Sequence, residues 1–144
     1  MLEKEMRRQL KHKFSLEMPQ ALLQPIESGR TGRGIPDIFF KAAYAEGWIE
    51  LKEIVFTNTQ IEIPFQSGQL SWIRRYTKLR GNIILLMTYK KSLYTLGLEK
   101  EWAAIKALDI MYRYESIKEF DAAACFMGTL KDLDLRKLLQ NPYD

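Results

Sequence analysis

The alternation of apolar and polar residues along the chain predicts a helix, three strands, a second helix and two further strands. Leu2, Met6, Leu10 and Phe14 recur every four residues and form the apolar stripe of an amphipathic helix. The strands are predicted at residues 20–27, 35–40, 47–55, 82–89 and 92–98, and the second helix at residues 69–79.

Four of the predicted strands carry features that indicate where they lie in a sheet. Pro25 interrupts the first strand, which suits an edge position or a bulge. Segments 35–40 and 47–55 are close enough along the chain to pair as a hairpin or meander. Segment 82–89 is an almost continuous apolar run, as expected of a strand that is covered on both faces.

The other segments are predicted as connections and as a helical tail. Residues 61–68 contain a proline and a glycine and are predicted as a connection, and Gly81 is predicted to close the second helix. The C-terminal tail is mostly helical by pattern. Ser116 and Glu119 have the spacing of a capping box that opens one helix, and residues 133–140 predict a short last helix.

Composition narrows the class of protein. The 144 residues suit one domain, with or without a terminal appendage, and 47% hydrophobic with 28% charged residues is typical of a globular protein. No apolar stretch approaches the roughly 18–20 residues of a membrane span, and the N-terminus lacks an apolar signal-peptide centre. Cys125 is the only cysteine, which excludes an intramolecular disulfide and a cysteine-based zinc site. We therefore expect a cytoplasmic protein without a membrane partner.

The distribution of charge is more informative than the net charge of +4. Residues 63–98 contain no Asp or Glu but six Lys or Arg, whereas residues 99–144 are slightly acidic. A basic middle segment suits a polyanionic partner such as nucleic acid, and Arg74, Arg75 and Lys78 of the second helix are candidate contacts. The alternative is an ordinary solvated face.

Two short motifs carry the candidate chemistry. Residues 34–37 read G-x-P-D, and residues 48–52 form an apolar run that contains E-x-K, so that thirteen positions separate Asp37 from Glu50. On neighbouring strands these two carboxylates could hold one Mg²⁺ or Mn²⁺, since Mg²⁺ is usually bound by one or two carboxylates plus water and phosphate. The alternative is a hairpin that carries surface carboxylates and an exposed lysine.

Strand alternation assigns a role to the residues around Glu50. Glu50 and Lys52 are two residues apart and therefore point to the same face, while Leu51 points into the core. Lys52 can then lie near the attacking water and lower its pKa, or stabilise developing negative charge. The Leu51 carbonyl is a plausible extra metal ligand.

These motifs resemble those of the PD-(D/E)XK nuclease superfamily. Gly32–Asp37, Trp48–Lys52 and Gln69–Trp72 together are similar to the VRR-NUC branch, which includes stand-alone bacteriophage proteins, and the likeness spans about residues 2–98. The resemblance implies an α/β fold with a restriction-endonuclease-like αβββαβ core and a small mixed sheet in residues 1–98. Residues 99–144 would be a helical extension that packs on the same domain or forms a dimer interface.

The resemblance also implies a function and a supporting acid. Stand-alone members of the branch are Mg²⁺-dependent nucleases associated with branched DNA such as four-way (Holliday) junctions, usually as homodimers. Members carry an acidic residue on the first helix. Glu3 lies about 40° from the centre of the apolar stripe and Glu5 about 120° away, so Glu3 is the predicted residue and Glu5 and Glu27 are reserves. The alternative is that Glu3 only complements the helix dipole.

Three further side chains are candidates for the site. Gln69 shares a helix face with Trp72 and could orient the metal-bound water or the scissile phosphate, or simply hydrogen-bond to backbone at the helix start. Arg30 and Arg33 lie in a glycine-containing loop before Asp37 and could grip phosphates, or remain solvated.

The expectation from the sequence is thus a metal-dependent endonuclease that acts on DNA, with Mg²⁺ as cofactor and Mn²⁺ as a possible substitute. The alternatives are a nicking or single-strand nuclease, a catalytically inactive nucleic-acid-binding protein of the same fold, and an assembly protein that oligomerises through its C-terminal helices. The substrate structure and the choice of DNA over RNA are left open by the residues themselves.

Overall fold

The fold is seen in a computed structural model that describes residues 3–26, 34–57, 60–89, 102–108 and 110–143. The helices are α1 (Glu3–Glu17), α2 (Gln69–Lys78), α3 (Ile117–Ala123) and α4 (Leu135–Leu138), and Leu130–Asp132 form a 3-10 turn. The strands are β1 (Leu22–Pro25), β2 (Ile38–Lys41), β3 (Glu46–Thr57), β4 (Gln60–Glu62), β5 (Ile83–Tyr89), β6 (Trp102–Lys106), β7 (Arg113–Tyr114) and β8 (Phe126–Gly128). None of the described helices combines the length and the apolar character needed to cross a membrane.

The strands form one mixed sheet whose main order is β1-β2-β3-β5-β6-β8. Strands β3 and β5 pair in parallel, and the other neighbours along this order pair antiparallel. Helix α2 lies in the connection between β3 and β5, as a parallel pair requires, because no short turn can join such strands. The far end of β3 also pairs with β4, and β4 pairs with β7. The predicted mixed α/β class is confirmed.

Helices cover both faces of the sheet, and the alternation of side chains along β5 makes this visible. All seven residues of β5 are buried. Ile84 and Leu86 pack in a core cluster with α1 and α4, whereas Leu85 packs with Ile73 of α2 and Phe120 of α3. The continuous apolar run predicted for this strand follows from its position between two helical layers.

Several predicted elements are confirmed by the described residues. The first helix, the hairpin of β2 and β3, and α2 occur where the apolar pattern predicts them, with ends shifted by a few residues. Among the described strands β1 pairs with β2 alone, and Pro25 is its last residue, so the predicted edge position is confirmed there. The strand predicted at residues 92–98 lies outside the described residues.

The prediction of a mostly helical tail is wrong. Residues 102–106 form β6, which pairs with β5 on one side and with β8 on the other. The two alanines of this segment favour helices in isolation, but Ala103 and Ala104 are fully buried inside the sheet and tertiary pairing overrides that preference. The tail thus contributes strands as well as helices to the sheet domain.

Three smaller predictions have different outcomes. Residues 61–68 are not only a connection, because β4 extends to Glu62 and its central residue Ile61 is fully buried against the rest of the core. The capping box at Ser116 is present, since the Ser116 hydroxyl accepts a hydrogen bond from the Glu119 backbone N–H at 3.1 Å. The predicted last helix is also present as α4.

The C-terminus of α2 is closed by two residues rather than by Gly81 alone. Arg80 adopts a left-handed conformation with φ of 65°, and the Gly81 N–H donates to the Tyr76 carbonyl at 2.9 Å. Gly81 itself does not have a positive φ. A Cβ at position 81 would lie 1.9 Å from the Tyr76 ring, and that ring is stacked on Trp72 with centroids 5.1 Å apart. The glycine is therefore required by the aromatic packing.

This arrangement predicts opposite effects for two neighbouring substitutions. We expect Gly81→Ala to lower the free energy of unfolding by about 1–3 kcal/mol, because the new methyl group forces the Tyr76 ring off Trp72. Arg80→Gly should raise it by up to about 1 kcal/mol, because it relieves the left-handed strain. Urea denaturation of both variants and the wild type measures the difference. Equal stability of Gly81→Ala and the wild type would contradict the packing argument.

Candidate metal centre

Asp37 and Glu50 come together through the pairing of β2 with β3. Ile38 is paired with Ile49 in this antiparallel pair, so the preceding Asp37 lies beside Glu50. The Asp37 carboxylate accepts a hydrogen bond from the Leu51 backbone N–H at 2.9 Å, which holds it against β3. The predicted neighbourhood of the two acids is therefore present in the structure.

Strand alternation distributes the residues of β3 as the sequence predicts. Leu51 is 1% exposed and packs in the cluster that contains α1, on the opposite face from its neighbours. Glu50 and Lys52 both contact Gln69, which is the first residue of α2. The acid and the lysine thus share the sheet face that α2 covers.

Gln69 bridges the acid and the lysine. Its side-chain Nε2 donates to Glu50 Oε2 at 2.7 Å, and its Oε1 accepts from Lys52 Nζ at 2.7 Å and from the Gln66 backbone N–H at 2.7 Å. Because both partners of Oε1 are donors, the amide can have only this orientation. Lys52 Nζ also donates to the Pro64 carbonyl at 3.0 Å and lies 5.6 Å from the centroid of the Phe65 ring. The ammonium group is therefore held in one place.

The start of α2 is positioned by the glycine of the G-x-P-D motif. Gly34 has φ of 96°, and a Cβ added there would lie 2.6 Å from the Gly68 carbonyl oxygen. Gly68 is the N-cap of α2, and the Trp72 backbone N–H donates to its carbonyl at 3.0 Å. The motif therefore brings the chain that precedes Asp37 into contact with the helix that carries Gln69.

Four aromatic side chains hold α2 against the hairpin. Phe39 contacts Trp48, Trp48 contacts Trp72, and Trp72 stacks on Tyr76, with ring centroids 5.4, 6.0 and 5.1 Å apart. Phe39 and Trp48 are each two residues from an acid of the site, so the row begins on the same sheet face as the carboxylates. The row fixes the position of Gln69 relative to Glu50.

The environment of Glu50 strongly disfavours a negative charge. The residue is fully buried, and its Oε1 atom has no hydrogen-bond partner within the described part of the chain. Burial raises the pKa of Glu50 to about 10, with a further contribution from the neighbouring Asp37 carboxylate, while the Lys52 charge opposes the shift. Asp37 precedes β2 and lies beside Glu50 of the paired strand β3. Two neighbouring carboxyl groups repel each other when both are ionised, so a shared proton or a cation between them is needed.

Glu3, the predicted supporting acid, also reaches Asp37. Burial, the Asp37 charge and a hydrogen bond to Asp37 raise the pKa of Glu3, and the charges of Arg7 and Lys52 oppose this shift. Glu5 instead accepts hydrogen bonds from Arg8 and Gln9 on the outer side of α1, and these lower its pKa to about 2. The structure thus brings Glu3, and not Glu5, to the site. Glu27 lies outside the described residues.

The donor set at Asp37 and Glu50 fits a hard divalent cation. Glu50 Oε1 is buried without a donor and lies beside a second carboxyl group, which is where a cation would relieve the repulsion. No group of three or more His, Cys, Asp or Glu side chains in the described ranges is arranged to hold a metal ion. The predicted set uses two carboxylates and the Leu51 carbonyl, with water and phosphate as the remaining ligands, which is common for Mg²⁺.

The basic residues predicted on α2 are not brought to the carboxylates. Arg74, Arg75 and Lys78 are exposed, and each lies at least about 120° around the helix axis from Gln69. They belong to the outer surface of α2. Arg30 and Arg33 lie outside the described residues.

One basic residue near the acids was missed by the sequence analysis. Arg7 lowers the pKa of Glu3 through its charge and lies one helical turn further along α1. The available signal was its i,i+4 spacing from Glu3, which places both side chains on one face of the helix.

Comparisons with known protein families, with curated proteins and with solved structures found no match for this chain.

The burial of Glu50 predicts that the wild type is less stable than a neutral variant when no metal is present. The folded-state pKa is above the unfolded value of 4.5, so between pH 4.5 and about 10 the folded protein keeps a proton that the unfolded chain releases, and the free energy of unfolding falls as pH rises. We expect Glu50→Gln, measured in EDTA at pH 7, to raise the free energy of unfolding by roughly 1–3 kcal/mol. Its advantage over the wild type should grow with pH across this range.

The matched control for this prediction is Glu46→Gln, an exposed acid on the same strand, which should leave stability unchanged. Denaturation curves at pH 5, 7 and 9 provide the comparison. A Glu50→Gln variant that is less stable than the wild type at every pH would show that the carboxyl group is favourably solvated in the metal-free protein.

Proposed function

We propose that this protein is a Mg²⁺-dependent endonuclease of the PD-(D/E)XK type that hydrolyses DNA phosphodiester bonds. The observation that supports this most is the convergence of Asp37, Glu50 and Lys52. Gln69 hydrogen-bonds to both Glu50 and Lys52, and one oxygen of Glu50 is buried without a partner. A structural hairpin has no need for a desolvated acid of this kind, whereas a metal-dependent hydrolase does.

Different residues of the site are suited to different roles in phosphodiester hydrolysis. Asp37 and Glu50, with the Leu51 carbonyl, would hold the ion. A divalent ion held there would neutralise negative charge on the phosphate oxygens and lower the pKa of a water molecule bound to it. Glu3 lies on the Asp37 side of the site and is suited to accept a proton or a hydrogen bond from water beside the ion.

Lys52 is placed to act on the substrate through its ammonium group. Two of its three N–H donors are used by Gln69 and Pro64 within the described residues. The third remains for an oxygen of the phosphate or of the attacking water. Gln69 keeps the ammonium group and the Glu50 carboxyl apart at a set distance, so that neither neutralises the other by direct contact.

The finer parts of the proposal come from the family resemblance. We infer a restriction-endonuclease-like core, a homodimer as the active form and branched DNA, such as four-way junctions, as the substrate. A dimer suits that substrate because resolution of a junction needs paired cuts on two strands.

We expect two single substitutions in the site to abolish cleavage without unfolding the protein. Asp37→Asn removes one ligand charge, and Lys52→Ala removes the ammonium group, so each should lower the cleavage rate by at least about 100-fold. The measurement is cleavage in Mg²⁺ of a panel of four-way junction, flap, nicked duplex, linear duplex and single-stranded DNA. Glu46→Gln serves as the control and should cleave like the wild type.

The outcomes of the panel separate the rival functions. Cleavage confined to the junction supports the resolvase-like activity, and nicking or single-strand cutting supports a simpler nuclease. Salt-dependent binding without any cleavage in Mg²⁺ or Mn²⁺ would identify a catalytically inactive nucleic-acid-binding protein. Full activity of Asp37→Asn on any substrate that the wild type cuts would overturn the assignment of the site.

A further inference from the structure

Arg7 lies at the edge of the acidic cluster, where its side chain makes a single hydrogen bond to another described side chain, that of Glu3. Its side chain is 39% exposed, and its Nη2 atom is 3.4 Å from Glu3 Oε1, which is a long contact for an ion pair. Its Nε atom is buried and has no hydrogen-bond partner in the part of the chain that the structure describes. A buried guanidinium donor without a partner is unfavourable unless a ligand completes it.

The neighbouring Arg8 provides an internal comparison. Its Nε donates to Glu5 Oε2 at 2.9 Å and its Nη2 contacts Glu5 Oε1, so its guanidinium is closed on one carboxylate by two parallel hydrogen bonds. Arg8 is also 70% exposed and lies on the outer side of the helix. Arg7 has the Glu3 carboxylate one helical turn away but makes only a single long contact to it, and Glu3 also interacts with Asp37.

The balance of charges around Asp37 is a second observation that favours a ligand beside Arg7. Three carboxyl groups, those of Glu3, Asp37 and Glu50, interact there with the cations of Lys52 and Arg7. One divalent ion added to fully ionised groups would leave the site with a single positive charge. That positive charge would balance the single negative charge of one phosphodiester group.

We propose that Arg7 is a substrate-binding residue whose guanidinium grips a phosphate of the nucleic acid beside the metal centre. The planar guanidinium matches two phosphate oxygens, and a reorientation of the half-buried side chain on binding would bring its enclosed Nε to the missing acceptor. This inference rests on the proposed nuclease function, since it assigns a partner to the same site. The nucleic-acid contacts predicted on α2 lie elsewhere on the surface, so Arg7 would act at the reacting phosphate and they would act on the flanking backbone.

The test compares Arg7→Gln and Arg7→Lys with the matched control Arg8→Gln. Binding of a fluorescein-labelled four-way junction and of a labelled duplex is measured by anisotropy over a range of salt concentrations, with Ca²⁺ in place of Mg²⁺ and with intact DNA verified on gels. We expect Arg7→Gln to weaken binding roughly tenfold and to reduce the slope of log K against log salt by about 0.7–0.9. Arg7→Lys should retain the slope and recover only part of the affinity, and Arg8→Gln should match the wild type.

A second background separates phosphate contact from indirect support of Glu3. If Arg7 only positions Glu3, Arg7→Gln has no effect in a Glu3→Gln protein, and the proposal is overturned. If Arg7 contacts phosphate, the loss of slope persists in that background. Should Arg7→Gln fail to fold, the affinity of Arg7→Lys for DNA tests the proposal instead. Loss of the guanidinium fork should weaken binding several-fold, and an unchanged affinity would overturn the proposal.

The failure of this inference is distinguishable from the failure of the proposed function. If the wild type cleaves DNA but Arg7→Gln binds with the affinity and slope of Arg8→Gln, the assignment of Arg7 is wrong and the nuclease stands. If the wild type neither binds nor cleaves any substrate of the panel, both proposals are overturned together.

Discussion

The desolvation of Glu50 is the constraint on which the rest of the site depends. A carboxyl group with no exposed surface and one unpartnered oxygen destabilises the fold unless a proton or a cation compensates it. The surrounding groups do not remove this cost: Asp37 adds to it, and Lys52 offsets only part of it. The fold therefore maintains a position at which an ionised carboxylate is unfavourable, and either a proton or the proposed cation would compensate it.

The hydrophobic structure around the site explains how this position is maintained. Leu51 anchors β3 in the core on one face while the aromatic row holds α2 on the other, so Gln69 cannot move away from Glu50. The close contacts at Gly34 and Gly81 serve the same packing, one at each end of α2. The apolar contacts position the strand and the helix that carry the polar groups, and the hydrogen bonds of Gln69 and Asp37 then fix the side chains within the site.

The sequence predicts the local features of the site well because they depend on fixed periodicities. The period of two along a strand separates Glu50 and Lys52 from Leu51, and the period of 3.6 along a helix separates Glu3 from Glu5. Both results appear in the structure. Features that depend on long-range pairing were not predictable in this way. The alanines of β6 favour a helix by local preference, and only the pairing with β5 and β8 makes the segment a strand.

The position of Arg7 beside Glu3 could not be predicted from net charge for a similar reason. Net charge along the sequence drew attention to residues 63–98, yet Arg74, Arg75 and Lys78 point away from the carboxylates. The charge that matters at short range is set by which few side chains the fold brings together, and Coulomb energy falls with distance and with exposure to solvent. In the proposed nuclease, the basic surface of α2 would attract the polyanion from a distance, and the half-buried Arg7 would position one phosphate at the site. Attraction and positioning would then belong to different faces of the molecule.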